Sequence, residues 1–118
     1  MISKERQLDL LVGALEGGSN YWYELGDLSV LPKSGKGKPT VERIFDYAQE
    51  GGEIEVFDME DTNEKLGVIN KATMDGAIEK MLGAEYEWAV SDILEEDDDA
   101  ETADIWFQFV VMGEVVFG

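Results

Sequence analysis

The 118-residue chain contains no cysteine and no histidine. Without cysteine there is neither a disulfide framework nor a thiolate zinc site. Without histidine, Ser-His-Asp and Cys-His catalysis and every imidazole metal site are excluded. Positive charge is also scarce: 9 Lys and Arg stand against 27 Asp and Glu, a net charge of -18. Such a balance argues against nucleic acid or an anionic membrane as a direct partner and favours a basic protein. No run of 18 or more apolar residues reads as a membrane span. The opening Met1-Ile2-Ser3-Lys4-Glu5-Arg6 lacks the apolar stretch of a signal peptide, so a cytoplasmic location is expected.

What is present is enough to bury a core. Hydrophobic residues make up 44% of the chain, and its length suits one domain spanning residues 1-118. Ser3 is placed to cap a first helix, with Leu8, Leu11, Val12 and Leu15 as its apolar stripe and Gly17-Gly18 as its stop. Residues 20-25, rich in aromatics, read as a strand. Residues 32-39, bounded by prolines and carrying Lys33, Lys36 and Lys38, read as a mobile, solvated basic loop.

Thr40 is expected to cap a second helix that turns Val41, Ile44, Phe45 and Ala48 inward. Ile54 and Val56 alternate with Glu53, Glu55 and Phe57 in a strand. Residues 58-64 then form a long polar loop before a returning strand over 65-69. Thr73 is expected to cap a third helix carrying Ala77, Ile78, Met81 and Leu82. Residues 86-94 form a short helix with Trp88 and Ile93 inward. Asp99 caps a last helix with Ala103, Trp106, Phe107 and Val110 as apolar positions. Gly113 stops it, and residues 114-117 form a final strand. The class is α+β: a small antiparallel sheet with three to five packed helices.

The charge is uneven. Residues 1-52 carry a net of -2 and residues 53-118 a net of -16. Between 85 and 104 lie ten acidic residues and no basic one: Glu85, Glu87, Asp92, Glu95, Glu96, Asp97, Asp98, Asp99, Glu101 and Asp104. Three readings compete for this run. It is a solvated acidic loop leading into a helix N-terminus, where the macrodipole favours carboxylates. Or it is a DNA-like surface. Duplex DNA carries one charge per roughly 1.7 Å of axis, and carboxylates three or four residues apart on a helix lie about 5–6 Å apart. Or it is a calcium site, against which stands the missing D-x-[DN]-x-[DN]-G spacing.

Asn20, Tyr21 and Trp22, following Gly17-Gly18, are alternative candidates for holding a base or small ring, with a helix cap and a core strand as the plainer reading. Trp106, Phe107, Phe109 and Phe117 read as core, and some of them as candidates for a homodimer interface. Paired carboxylates are the one acid–base chemistry left open, and no pair stands out. No catalytic residue, metal or cofactor is assigned.

Two segments resemble a known group. Ala14-Leu15-Glu16-Gly17-Gly18-Ser19-Asn20-Tyr21-Trp22 is similar to a stretch near the start of small uncharacterised bacteriophage and mobile-element proteins. Thr102-Ala103-Asp104-Ile105-Trp106-Phe107-Gln108, with the ending Gly113-Glu114-Val115-Val116-Phe117-Gly118, resembles their close. The resemblance implies a phage or mobile-element origin and carries over no site residues. The expectation is a non-enzymatic protein that inhibits a basic host protein through an acidic DNA-like surface, as an anti-CRISPR or anti-restriction factor would. The alternatives are a protein that sequesters a nucleotide signal, or a self-associating phage accessory protein.

Overall fold

A computed structural model describes residues 2-118. Its organising element is the last helix. Over Ala100–Met112 the sequence places ten consecutive buried residues, Thr102 to Val111. A helix that is apolar almost all round must be covered on every side. The rest of the chain does this: helices packed around a three-stranded antiparallel sheet, an α+β arrangement.

The chain enters through α1 (Lys4–Gly13), capped by Ser3 as expected, its side chain accepting from the Arg6 amide at 3.2 Å. The buried stripe is Gln7, Leu10, Leu11, Ala14 and Leu15, so Leu8 and Val12 lie at its edge. The helix does not stop cleanly at Gly17-Gly18. It widens into a π-helical segment over Ala14–Gly18, and the Ser19 amide donates to the Ala14 carbonyl at 2.9 Å. Gly18 is needed there for contact, since a Cβ at that position would overlap the Ala100 carbonyl oxygen. This brings the π-helical segment against the start of the last helix.

The strand expected over 20-25 is shorter. Residues 20-22 form a turn, and β1 covers Tyr23–Leu25. After short 3₁₀ turns comes α2 (Thr40–Gln49), which buries Val41, Ile44, Phe45 and Ala48 as the periodicity requires. Thr40 is its first residue, not its cap; Pro39 holds the cap position and offers no side-chain acceptor. β2 (Ile54–Asp58) buries Ile54 and Val56 on one face and lies between β1 and β3 (Asp61–Ile69). The hairpin is tight where a long loop was expected: Asp58 pairs with Asp61, so only Met59 and Glu60 form the turn. Polar residues 61-64 belong to an exposed strand end, which polarity alone does not separate from a loop. Gly67 in β3 faces the end of the last helix, where any Cβ would overlap the Val111 carbonyl oxygen.

α3 (Lys71–Gly83) is capped by Asn70, not by Thr73. The two residues form a capping box: Asn70 Oδ1 accepts from the Thr73 amide at 2.8 Å, and Thr73 Oγ1 accepts from the Asn70 amide at 3.0 Å. Ala77, Ile78 and Met81 are buried, but Leu82 is exposed. α4 (Glu87–Leu94) buries Ala89, Val90 and Ile93 and leaves Trp88 exposed, contrary to the inward placement expected of a tryptophan. Asp99 caps α5 (Ala100–Met112), and Gly113 stops it at φ 76°. Residues 114-117 are not a strand. Their backbone is held by a side chain, Gln108, as described next.

Candidate functional site

Asp104 is the only acid within the buried stretch of α5, and its partners organise the surroundings. Its Oδ1 accepts from Ser19 Oγ at 2.7 Å and from Trp22 Nε1 at 2.8 Å. Its Oδ2 accepts from Tyr21 Oη at 2.6 Å and from Gln108 Nε2 at 3.3 Å. A buried carboxylate without a cation is tolerable only when its lone pairs are filled, and here four donors fill them. Gln108, one turn on, extends the network. Its Oε1 accepts from the Val116 and Phe117 amides at 2.8 and 2.9 Å, and its Nε2 donates to the Phe117 carbonyl at 3.0 Å. The amide thus satisfies the chain's last segment as a neighbouring strand would. Phe117, so held, stacks on Trp22 with ring centroids 5.3 Å apart.

Above this network opens a groove of about 580 Å³. Asp104, Ile105 and Gln108 form its floor, one face of α5. Tyr21, Tyr86 and Trp88 line it with aromatic rings. Trp88 is 48% exposed and Tyr21 49%. Glu101 lies at the α5 N-terminal end, and among the described residues no basic one lines the groove. Tyr86 is fixed by an edge-on contact with Phe109, and its ring lies 6.3 Å from that of Trp88. Partial burial and the hydrogen bond to Asp104 push the Tyr21 hydroxyl up to about 12, so it remains a neutral donor across the physiological range.

The acidic run divides into three roles. Asp104 is buried with both carboxylate oxygens occupied, so it is groove floor and not an exposed charge. Asp98 and Asp99 serve the fold. Asp98 pairs with Arg6, whose guanidinium also reaches Asp9 and the Ile93 carbonyl, each at 3.3 Å. Asp99 accepts from the Thr102 amide at 3.0 Å and from its hydroxyl at 3.1 Å, and these bonds hold its carboxyl below the usual carboxylate range. Asp92 is half-buried in α4. Glu85, Glu87, Glu95, Glu96, Asp97 and Glu101 are exposed. Glu85 and Glu96 sit in left-handed backbone conformations, φ 65° and 57°, at the ends of α3 and α4. Among the described residues, no group of acidic side chains comes together in a metal-holding arrangement.

Asn20, Tyr21 and Trp22 do not converge on one ligand. Asn20 lies beside a separate depression with Tyr23 and Glu24, Tyr21 edges the groove, and Trp22 is 1% exposed in the core. Lys38 is paired with Asp46 at 3.1 Å and lines a different depression from Tyr21. Trp106, Phe107 and Phe109 are fully buried inside the domain, while Phe117 is partly buried and lines the groove. Compared with models of known families, with curated proteins and with solved structures, the chain matches none. No helix among the described residues is long and apolar enough to cross a membrane.

The groove had one signal in the sequence. Asp104 and Gln108, four residues apart, are the polar pair in the otherwise apolar stretch 103-111.

Proposed function

We propose that this chain is a non-enzymatic binding protein whose α4–α5 surface docks on a basic protein. The observation that carries the reading is a groove edged by exposed aromatic rings and set among free carboxylates, with no basic side chain in its lining. Exposed aromatics ringed by polar groups mark recognition surfaces. The surrounding negative charge attracts a basic partner and speeds its association. Two further features support it. The left-handed region costs a non-glycine residue about 1–2 kcal/mol, yet Glu85 and Glu96 occupy it where glycine would be comfortable. And the resemblance of both chain ends to phage and mobile-element proteins suggests a host target, a nuclease or other DNA-binding protein whose basic groove the acidic surface would fill.

The test is competition. A restriction or CRISPR nuclease is mixed with labelled DNA and increasing amounts of this protein, at low and at high salt. The informative variant joins Glu95→Gln, Glu96→Gln, Asp97→Asn and Glu101→Gln, since Asp98 and Asp99 are committed to the fold. DNA displacement that weakens with salt and is lost in the fourfold variant supports the reading. Displacement unchanged in that variant refutes it.

A further inference from the structure

The groove itself asks for a more specific occupant than a basic surface. We propose that it seats an arginine side chain of the partner protein, the guanidinium stacked against Trp88 and paired with Glu101. This rests on the reading above, and it follows from what each part of the groove still has to offer.

Asp104 is saturated: two donors on each oxygen leave it as floor, not as ligand. Glu101 is exposed at the groove's edge, and none of the salt bridges among the described residues involves it. It is therefore the carboxylate free to accept a cation. Half-exposed Trp88 lines the same space, its ring 6.3 Å from that of Tyr86. Tryptophan offers the strongest face for a cation, and guanidinium combines stacking on a ring with a fork that matches a carboxylate. An ammonium is a point charge with a tightly held hydration shell and uses the ring less well. A phosphate-bearing ligand would meet two carboxylates and no lysine or arginine. The volume, about 580 Å³, is large enough for the side chain together with flanking peptide.

Nuclear magnetic resonance reads weak binding directly through the Trp88 indole N–H. The other two indoles belong to Trp22 and Trp106, both buried, so Trp88 is the surface reporter. The probes are acetyl-Gly-Arg-Gly-amide and the same peptide with citrulline, the uncharged shape analogue, or with lysine in place of arginine. The arginine peptide is expected to shift the Trp88 signal saturably and the lysine peptide to bind several-fold more weakly. The citrulline peptide should bind at least tenfold more weakly. Trp88→Ala and Glu101→Gln are each expected to weaken arginine-peptide binding about fivefold. Loss in Trp88→Ala is then followed through an isotope-labelled peptide. Trp88→Phe should restore part of it. Equal binding of the arginine and citrulline peptides overturns the proposal, as does tighter binding of tetramethylammonium or of adenosine monophosphate.

Docking on the whole nuclease separates this proposal from the one it rests on. Docking lost in the fourfold carboxylate variant but unaffected by Trp88→Ala overturns the arginine seat and leaves the acidic surface. Arginine-peptide binding that needs Trp88, with no docking on any basic protein, supports the seat and overturns the wider reading.

Discussion

Asp104 sets a sharp test of how the groove floor is held. In Asp104→Ala, Ser19 Oγ and Trp22 Nε1 lose their acceptor, and both residues are at most 1% exposed. An unsatisfied buried donor costs about 1–3 kcal/mol. Gln108 keeps its bond to the Phe117 carbonyl, and the half-exposed Tyr21 hydroxyl can turn to water. Two orphaned donors, partly offset by the relief of desolvating an unpaired charge, give an expected loss of about 3 kcal/mol. Asp104→Asn is milder. Its remaining oxygen still serves Ser19 and Trp22, while its amide faces Tyr21, whose hydroxyl can rotate to accept, and Gln108. The loss expected is about 1 kcal/mol. Urea unfolding followed by tryptophan fluorescence reads both, and by heat the difference corresponds to about 8 °C in Tm. Equal losses in the two variants would refute the division of labour between the two oxygens. Losses under about 0.5 kcal/mol in both would show that water replaces the network.

Gly67→Ala should destabilise by about 2–3 kcal/mol in the same assay, because its Cβ meets a helix carbonyl and not a movable side chain. Tyr21 should resist ionisation until about pH 12, read by phenolate absorbance and assigned by loss of the step in Tyr21→Phe. Its folded pKa exceeds the unfolded value of about 10, so the folded state holds the proton longer and stability falls as pH rises through the interval from about 10 to 12. Glu85→Gly and Glu96→Gly should each stabilise the fold by about 0.5–1 kcal/mol and weaken docking on a basic partner; stabilisation with docking unchanged would remove these two charges from the surface.

The helices were legible where their periodicity was strong. α2 buried the four residues expected because its apolar positions fall on one stripe, and α5 followed its cap and stop, Asp99 and Gly113. The errors have physical causes. Thr73 is a capping residue, but as the third member of a box begun by Asn70, and a single residue type does not say which end of the box it occupies. Hydrophobicity alone points Trp88 inward, yet Ala89, Val90 and Ile93 already fill the buried side of α4 and leave Trp88 on the other. Residues 114-117 carry the β-branched and aromatic side chains of a strand, but their backbone finds its partner in a side chain, Gln108, which no local pattern reveals. The groove was hidden for the same reason. It is made by Tyr21, Trp88 and Asp104, far apart in sequence and joined only by packing around α5.

The placement of charge bears on how such a surface would bind. Carboxylates this dense repel one another; here Glu87 and Glu101 stand at the starts of α4 and α5 and Glu95, Glu96 and Asp97 on the short link between them, and both helices are anchored in the core, by Val90 and Ile93 from α4 and by Trp106, Phe107 and Phe109 from α5. The repulsion is therefore carried by a well-packed interior. Arg6 reinforces the junction by tying α1 to Asp98 and to the end of α4. Docking then pays little to order the backbone beneath the charges, which is the condition under which electrostatic attraction converts into affinity as well as rate. Removing Arg6 tests this link. Arg6→Met frees Asp98 and adds one more unpaired negative charge to the surface, so attraction alone predicts faster association. If the junction matters, the complex should also dissociate faster, because α4 and α5 lose their tie to α1. Stopped-flow association at low salt with a dissociation chase separates the two effects. Faster association with unchanged dissociation would show that the acidic surface needs no support from the Arg6 junction.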